Sequence, residues 1–423
     1  MMTATTKPPM SPRRTTPAVS VLQVLLGDYL VGTLTHLPDD RTVWSFDPAY
    51  VADTARPTLS LSYKNSSGQL RSRTRPTHVK LPPFFSNLLP EGHLREYLAE
   101  KGQVNPAREF FLLWLLGEDL PGAVRIRAVS GHALPPTAGA AARSTPKGAD
   151  EPLRFSLAGM QLKLSALQEA DGGLTIPVRG VGGTWIAKLP STRFAAVPEN
   201  EYVMMTLAKE VGIKVPDVAL VASDKILNVP EGAFAGSGNV LVVRRFDRAA
   251  DGTRIHMEDF AQVFGRYPKH KYGKASYEDI ARVLWAETGE DGIREFTRRL
   301  VVTVLIGNGD MHLKNWSLLY PNRRAPILSP AYDYVSTVPY VPNETLALSL
   351  GESKDLLSVD ENRFVRFARR AGLPDRLVAA VAVDTADRLR EAWRSLDAKE
   401  LLPRQMRDSV EQHMAKVSLG RRT

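Results

Sequence analysis

Apolar positions first fall into a regular pattern at Val19. The run VSVLQVLLGDYLVGTLTHL is interrupted only by Gly-Asp-Tyr, which predicts two strands joined by a tight turn, and TVWSFDPAYV and PTLSLSY extend the β character. Helical spacing then takes over in SNLLPEGHLREYLAEKG and NPAREFFLLWLLGEDLPGAV, with Pro90 and Asn105 near the starts and Gly102 and Gly117 near the ends. A second β-rich stretch holds LRFSLAGMQLKLSAL, GGTWIAKLP, DVALVAS and NVLVVRRFDR. It is broken by PENEYVMMTLAKEVGIKVP, where Tyr202, Val203, Leu207 and Val211 recur at helical spacing before Gly212 and Pro216. From about Met257 onward the pattern is mostly helical, residues 306–336 excepted. No internal repeat is visible.

These shifts divide the chain into a Thr-, Pro- and Arg-rich tail over 1–18, read as disordered, and an α+β unit over 19–130. A Pro- and Gly-rich linker or exposed loop follows over 131–150. A small sheet domain with one helix spans 151–256, and a largely helical unit spans 257–423. A length of 423 residues is enough for each unit to bury its own core. The net charge of +9 is spread along the chain without a long basic run; it permits an acidic partner and identifies none. With no cysteine, disulfides, thiolate metal sites and Cys nucleophiles are excluded. No secretory core and no run of about 18 apolar residues is present, so a cytoplasmic protein without membrane spans is the expectation.

The densest chemistry lies in IGNGDMHLKNWSLLY, which packs Asn308, Asp310, His312, Lys314 and Asn315 between two apolar segments. Asp310 and Asn315 stand five positions apart, and Asp333 follows in PILSPAYDYVS. Two short strands joined by PNRR would bring Asn315 and Asp333 to the same end of a hairpin. Phosphoryl transfer needs such oxygens: a carboxylate for the attacking hydroxyl, and a carboxamide with a second carboxylate for magnesium, which takes hard oxygen ligands. The protein-kinase catalytic loop separates its Asp and Asn by the same five positions. Alone, Asn-Gly-Asp also reads as a polar turn. Lys188 tips the balance, because it lies inside the apolar strand TWIAKLP, where an unpaired ammonium is costly and a phosphate-binding lysine is not. Glu199, Asn200 and Glu201 open the next helix, and Glu201 is favoured as the partner of Lys188; capping explains acidic residues there equally well. The loop SLAGMQLK contains only Gly159, so no glycine-rich phosphate motif is claimed.

Taken together, FSLAGMQLK, WIAKLP, ENEYVMMTLAKEVGI, VVRRFDR, HMEDFAQVF, GNGDMHLKNWSLL and LSPAYDYV resemble the HipA family of bacterial serine/threonine kinases, toxins of type II toxin–antitoxin systems. SNLLPEGHLREYL and FFLLWLLGEDLPGAVRI are similar to that family's amino-terminal subdomain. The resemblance implies an α+β, bilobal protein-kinase-like fold, with a β-rich N-terminal lobe that includes the subdomain and a mostly helical C-terminal lobe. It implies ATP and Mg2+ as cofactors, Asp310 as catalytic base, and Asn315 and Asp333 as magnesium ligands. Lys188 would contact the phosphates beneath the loop of Ala158, Gly159, Met160, Gln161, Leu162 and Lys163. His312, Leu313, Lys314 and Tyr332 would lie near the nucleotide, with a simple loop hydrogen-bonder as the alternative for His312. Arg244, Arg245 and Phe246 would meet adenine at the hinge, largely through backbone. Arg244 stands where the family often has an acidic residue, and Leu162 where the loop is commonly charged.

The same resemblance makes Ser156 an autophosphorylation site whose dianionic phosphate would repel nucleotide and shut the kinase off. It further implies a small helix-turn-helix antitoxin like HipB, operator DNA bound through that complex, and an aminoacyl-tRNA synthetase, of the glutamyl-tRNA synthetase kind, as substrate. Phosphorylation of that target would inhibit translation and cause growth arrest or persistence. Two other readings stay open from sequence. One is a silent kinase fold acting as an antitoxin-binding co-repressor. The other is a small-molecule or lipid kinase, weakened by the lack of a polybasic or amphipathic membrane segment.

Overall fold

The computed structural model describes residues 19–129, 134–141, 163–168, 174–176, 182–191, 193–229 and 238–420. The expectations placed on residues 1–18, on Ser156 and on Ala158 to Leu162 lie outside the described residues.

The first apolar run forms the predicted hairpin of Ser20–Leu26 and Tyr29–His36, turning at Gly27 with φ +62°. Arg41–Phe46, Thr77–His78 and Val124–Ala128 complete a five-stranded antiparallel sheet. Strand alternation buries Leu22, Val24, Leu34 and Trp44 against Phe84, Phe85, Phe110 and Phe111, making an aromatic core of its own. The helices Gly92–Lys101 and Glu109–Leu116 lie where their spacing predicts, although the second begins four residues after Asn105. PTLSLSY is not a strand. Ser60 caps a 3-10 turn, Leu61–Tyr63, by accepting from the Ser62 amide, so a local side-chain bond overrides the alternating pattern. Of the described residues 134–141, five are exposed; Ala138 is buried, and the Arg108 guanidinium donates to the Thr137 carbonyl.

A second sheet runs in the order Ile226–Leu227, Leu174–Thr175, Lys163–Gln168, Trp185–Lys188, Asn239–Arg244 and Val218–Ala222. The helix Val197–Glu210 packs against it and turns off at Gly212, φ +83°. The carboxy-terminal part is built on Tyr277–Leu305, Glu361–Ala371, Asp375–Ser395 and Arg404–Lys416, which share one large core. It holds more strand than expected. Besides His256–Asp259, Ser317–Tyr320 and Ile327–Leu328, the hairpin Thr345–Leu350 with Ser353–Asp355 lies beyond the predicted non-helical window. Tertiary burial decides this: Leu346, Ala347, Leu348 and Leu350 are all buried in the main core.

Candidate active site

The loop of interest begins where the helical stretch Tyr277–Leu305, broken at Gly289 with φ +65°, ends. Gly307 takes φ +65°, its amide donates to Val304 and the Asn308 amide reaches back to Thr303, a Schellman-type reversal. A Cβ at Gly307 would meet Val338 Cγ1 at 2.5 Å, so the position requires glycine for both conformation and space. Below the loop, Trp316 packs on Phe296 at 4.7 Å between ring centroids. Its indole and the Tyr277 hydroxyl both donate to the Met311 carbonyl, at 3.2 and 3.0 Å. Aromatic burial and two hydrogen bonds thus hold the backbone between Asp310 and Asn315.

Within that frame Asn308 Oδ1 accepts from the Asp310 amide at 2.9 Å, and the Asn315 carboxamide donates to the Asp310 carbonyl at 2.9 Å. The Tyr272 hydroxyl donates to Asp310 Oδ1. The antiparallel register Leu318↔Leu328 and Leu319↔Ile327 places Asn315, just before its strand, and Asp333, beyond the partner strand, at one end of the hairpin. Asn308 Nδ2 also approaches the Asp333 carbonyl at 3.4 Å. Asp333 itself is left-handed, φ +57°.

Lys188 is buried on its strand and pairs with both Glu201 and Asp333. Lys163 reaches the other Asp333 oxygen at 2.8 Å. Burial works against the Lys188 charge, but the Asp333 and Glu201 carboxylates outweigh it and raise its pKa above the ordinary lysine value. Burial likewise opposes the Asp333 charge, and Lys163 and Lys188 hold that carboxyl far below the usual carboxylate range. Of the three candidates at the helix start, Glu201 is the one that meets Lys188. Glu199 accepts from Asn239 at 2.8 Å, and Asn200 clips the Ser336 backbone from both sides at 2.9 Å.

The other candidates divide. His312 is buried, and neither ring nitrogen has a hydrogen-bond partner among the described residues, so it is not a local loop bonder. Burial pushes its pKa down to about 4, and the imidazole is neutral. Leu313 is buried, its amide donating to the Lys271 carbonyl at 3.2 Å. The Lys314 ammonium is engaged by Glu91 at 2.7 Å and by the Asn87 carbonyl at 3.2 Å. Tyr332 donates to the Lys314 carbonyl at 2.8 Å and faces Phe246 at 5.7 Å between ring centroids. The amides of Arg244 and Arg245 are already bonded to the carbonyls of Asp217 and Thr184, both at 2.9 Å. The Arg245 guanidinium points to Asp119 and Asp247, each at 3.0 Å. Sequence reasoning had no signal for Tyr272, Glu91 or the Lys163–Asp333 pair, whose partners lie 38 to 223 positions apart. Among the described residues no group of three His, Cys, Asp or Glu side chains could hold a metal by itself.

A small sheet with one packed helix, a strand lysine paired to that helix, and a loop and carboxylate carried by the second, mostly helical part make up the two-lobed, protein-kinase-like fold. The solved Shewanella oneidensis HipA, in its complex with HipB and operator DNA, shares it with a TM-score of 0.71 at 23% identity, over 94% of this chain and 95% of that one. The family model described as the HipA-like C-terminal domain matches residues 155–393, and that of the HipA N-terminal domain matches residues 22–127. The chain belongs to the HipA family. It is 48% identical to Y4dM of Sinorhizobium fredii, named as a candidate kinase, over 96% of this chain and 99% of that protein. It is also 26% identical to the serine/threonine-protein kinase toxin HipA of Shewanella oneidensis, over 88% of each.

Proposed function

We propose that this chain is an ATP- and Mg2+-dependent serine/threonine-protein kinase that acts as a toxin. The observation that carries the reading is the Glu201–Lys188–Asp333–Lys163 ion-pair chain ending beside the Asp310–Asn315 loop. A buried lysine with two carboxylates and a second lysine is an expensive arrangement unless charge has to be managed there. In this reading residues 19–130 are the amino-terminal subdomain, 151–256 the ATP-binding part and 257–423 the lobe that carries the catalytic loop.

Asn315 and Asp333 would supply two hard oxygens, the Asp333 carboxylate sharing its charge between the ion and the ammonium groups of Lys163 and Lys188 that meet it here. Two such oxygens are too few for a closed metal cage and suit a magnesium ion that completes its shell with nucleotide phosphates and water. When bound, the ion would neutralise charge on the phosphates. Asp310 takes the proton of the acceptor hydroxyl as its oxygen bonds to the γ-phosphorus and ADP leaves. The Tyr272 hydroxyl orients that carboxylate, and the Asn308 side chain holds the Asp310 backbone amide. Lys188 and Lys163 hold the Asp333 carboxylate ionised, and both ring nitrogens of neutral His312, on the same loop, lack a partner among the described residues. Phe246 and Tyr332 offer aromatic surface at the hinge side, where the bonded amides of Arg244 and Arg245 leave adenine to other atoms.

Autophosphorylation at Ser156 would switch the enzyme off, and the loop from Ala158 to Lys163 would cover the phosphates. A HipB-like antitoxin and operator DNA are the proposed partners, supported by the complex in which the Shewanella protein was solved. The protein acceptor we favour is an aminoacyl-tRNA synthetase, and the site of action is cytoplasmic. No helix among the described residues is long and apolar enough to cross a membrane.

The test is label transfer from Mg-[γ-32P]ATP to protein in a bacterial lysate. Wild type labels at least one band and Asp310→Asn labels none, while mass spectrometry of the purified chain finds phosphate on the Ser156 peptide of wild type only. Equal labelling by both proteins removes Asp310 as the base, and no labelling by wild type leaves an antitoxin-binding module as the better reading.

A further inference from the structure

One carboxylate from the amino-terminal subdomain reaches the loop that carries Asp310. Glu91 precedes the helix Gly92–Lys101; its Oε1 meets Lys314 Nζ at 2.7 Å and its Oε2 meets Lys271 Nζ at 2.9 Å. Burial opposes its charge, but the two ammonium groups hold the carboxyl far below its ordinary range, so it is ionised at any working pH. Nearby, the Asn87 carbonyl accepts from Lys314 at 3.2 Å and the Asn87 carboxamide donates to the Arg266 carbonyl at 2.7 Å. The short stretch from Asn87 to Glu91 therefore grips both the catalytic loop and the segment that runs from Arg266 to Tyr272.

That segment leads to Asp310. The Lys271 carbonyl accepts from the Leu313 amide, and the next residue, Tyr272, donates its hydroxyl to Asp310 while its ring stands edge-on to His312 at 4.9 Å. Two ammonium groups brought to one place repel unless a carboxylate lies between them. With Glu91 removed, Lys271 and Lys314 have reason to separate, and Tyr272 moves with its neighbour. The ion pairs of Lys188 with Glu201 and Asp333 share no partner with Glu91, so that part of the site stays in place, and the nucleotide side is touched only through Lys314, which precedes Asn315.

We propose that Glu91 is a positioning residue for phosphoryl transfer: by bridging Lys271 and Lys314 it sets Tyr272 against Asp310, making the amino-terminal subdomain part of the catalytic device. The proposal rests on reading Asp310 as the base. A misplaced general base costs rate more than binding, because an ångström of displacement is worth on the order of a hundredfold.

The full chain is assayed for label transfer from Mg-[γ-32P]ATP to lysate protein, with ATP affinity measured by fluorescence titration and folding by thermal melting. Glu91→Gln is expected to lower kcat on the order of tenfold to a hundredfold, with any loss of ATP affinity much smaller than the loss in kcat. The conservative variant Glu91→Asp keeps a carboxylate at the bridging position and is expected to recover part of that rate. Wild-type kcat in Glu91→Gln, a rate loss that follows lost ATP affinity or lost folding, or a Glu91→Asp rate no better than that of Glu91→Gln overturns the proposal. Asp310→Asn runs alongside: if it transfers normally, the reading of the base fails; if it is dead while Glu91→Gln is normal, only the role of Glu91 fails.

Discussion

Glu258 offers a sharp thermodynamic test of how the amino-terminal subdomain is joined to the rest of the chain. Its fully buried carboxyl accepts from Ser60 Oγ at 2.6 Å, from the Leu61 amide at 2.9 Å and from the Tyr320 hydroxyl, with no cation among the described residues bonded to it. Burial, only partly countered by those donors, pushes its pKa up from 4.5 to about 7. Below 4.5 the group is protonated in both the folded and the unfolded chain and contributes no pH dependence. Between 4.5 and 7 the folded chain keeps a proton that the unfolded chain has lost, so stability from this group falls as pH rises, and above 7 the full penalty of about 3 kcal/mol is in place. In Glu258→Gln the carboxamide oxygen keeps Leu61 and Tyr320, while its NH2 faces Ser60 Oγ, which can turn to accept and donate instead to Ser62 Oγ, 2.7 Å away. The variant has no proton to lose. Urea denaturation of both proteins from pH 5 to pH 8 should therefore show the variant gaining about 2–3 kcal/mol on wild type as pH rises. His256 and His312, each pushed down to about 4 by burial, make acid destabilising in both proteins and cancel in the comparison. A stability difference that stays constant across this range would falsify the picture of a protonated Glu258 in the seam.

Two further substitutions address the site. Lys188→Met leaves Glu201 and Asp333 facing each other with Lys163 as the cation that remains on Asp333 among the described residues; it should cost about 3–5 kcal/mol in urea at neutral pH and abolish label transfer. Because a buried carboxylate then has to take a proton, that cost should shrink as pH falls, and a variant with wild-type stability and pH slope would contradict the pairing. Gly307→Ala puts a Cβ at a left-handed position and into Val338, for a combined loss of about 2–4 kcal/mol, with kcat falling as the loop shifts. Near-neutral behaviour in denaturation would show that the helix end can relax.

Much of the fold could be read along the chain because local rules decide it. The hairpin at Gly27, the helix Val197–Glu210 ending before Gly212, and the polar loop after an apolar helix end all follow from periodicity and turn chemistry. Where a local bond or a distant core competes with the pattern, the pattern loses. PTLSLSY gives way to a Ser60 cap, and the Thr345–Leu350 strand forms because the main core receives it.

By itself the sequence determined which chemistry is carried: an Asp and an Asn five positions apart, a later Asp, and a lysine in an apolar strand. Only the tertiary structure decided the partners. Glu199 and Glu201 are two steps apart on a helix, roughly 200° around its axis, so one of them at most can face Lys188, and helix phase relative to a strand is not written in either segment. Lys163 on Asp333, Tyr272 on Asp310 and Glu91 between two lysines are pairings over 170, 38 and up to 223 positions. Hydrogen bonds and ion pairs act over about 3 Å of space, and the chain's local order carries no record of which distant groups folding will bring that close.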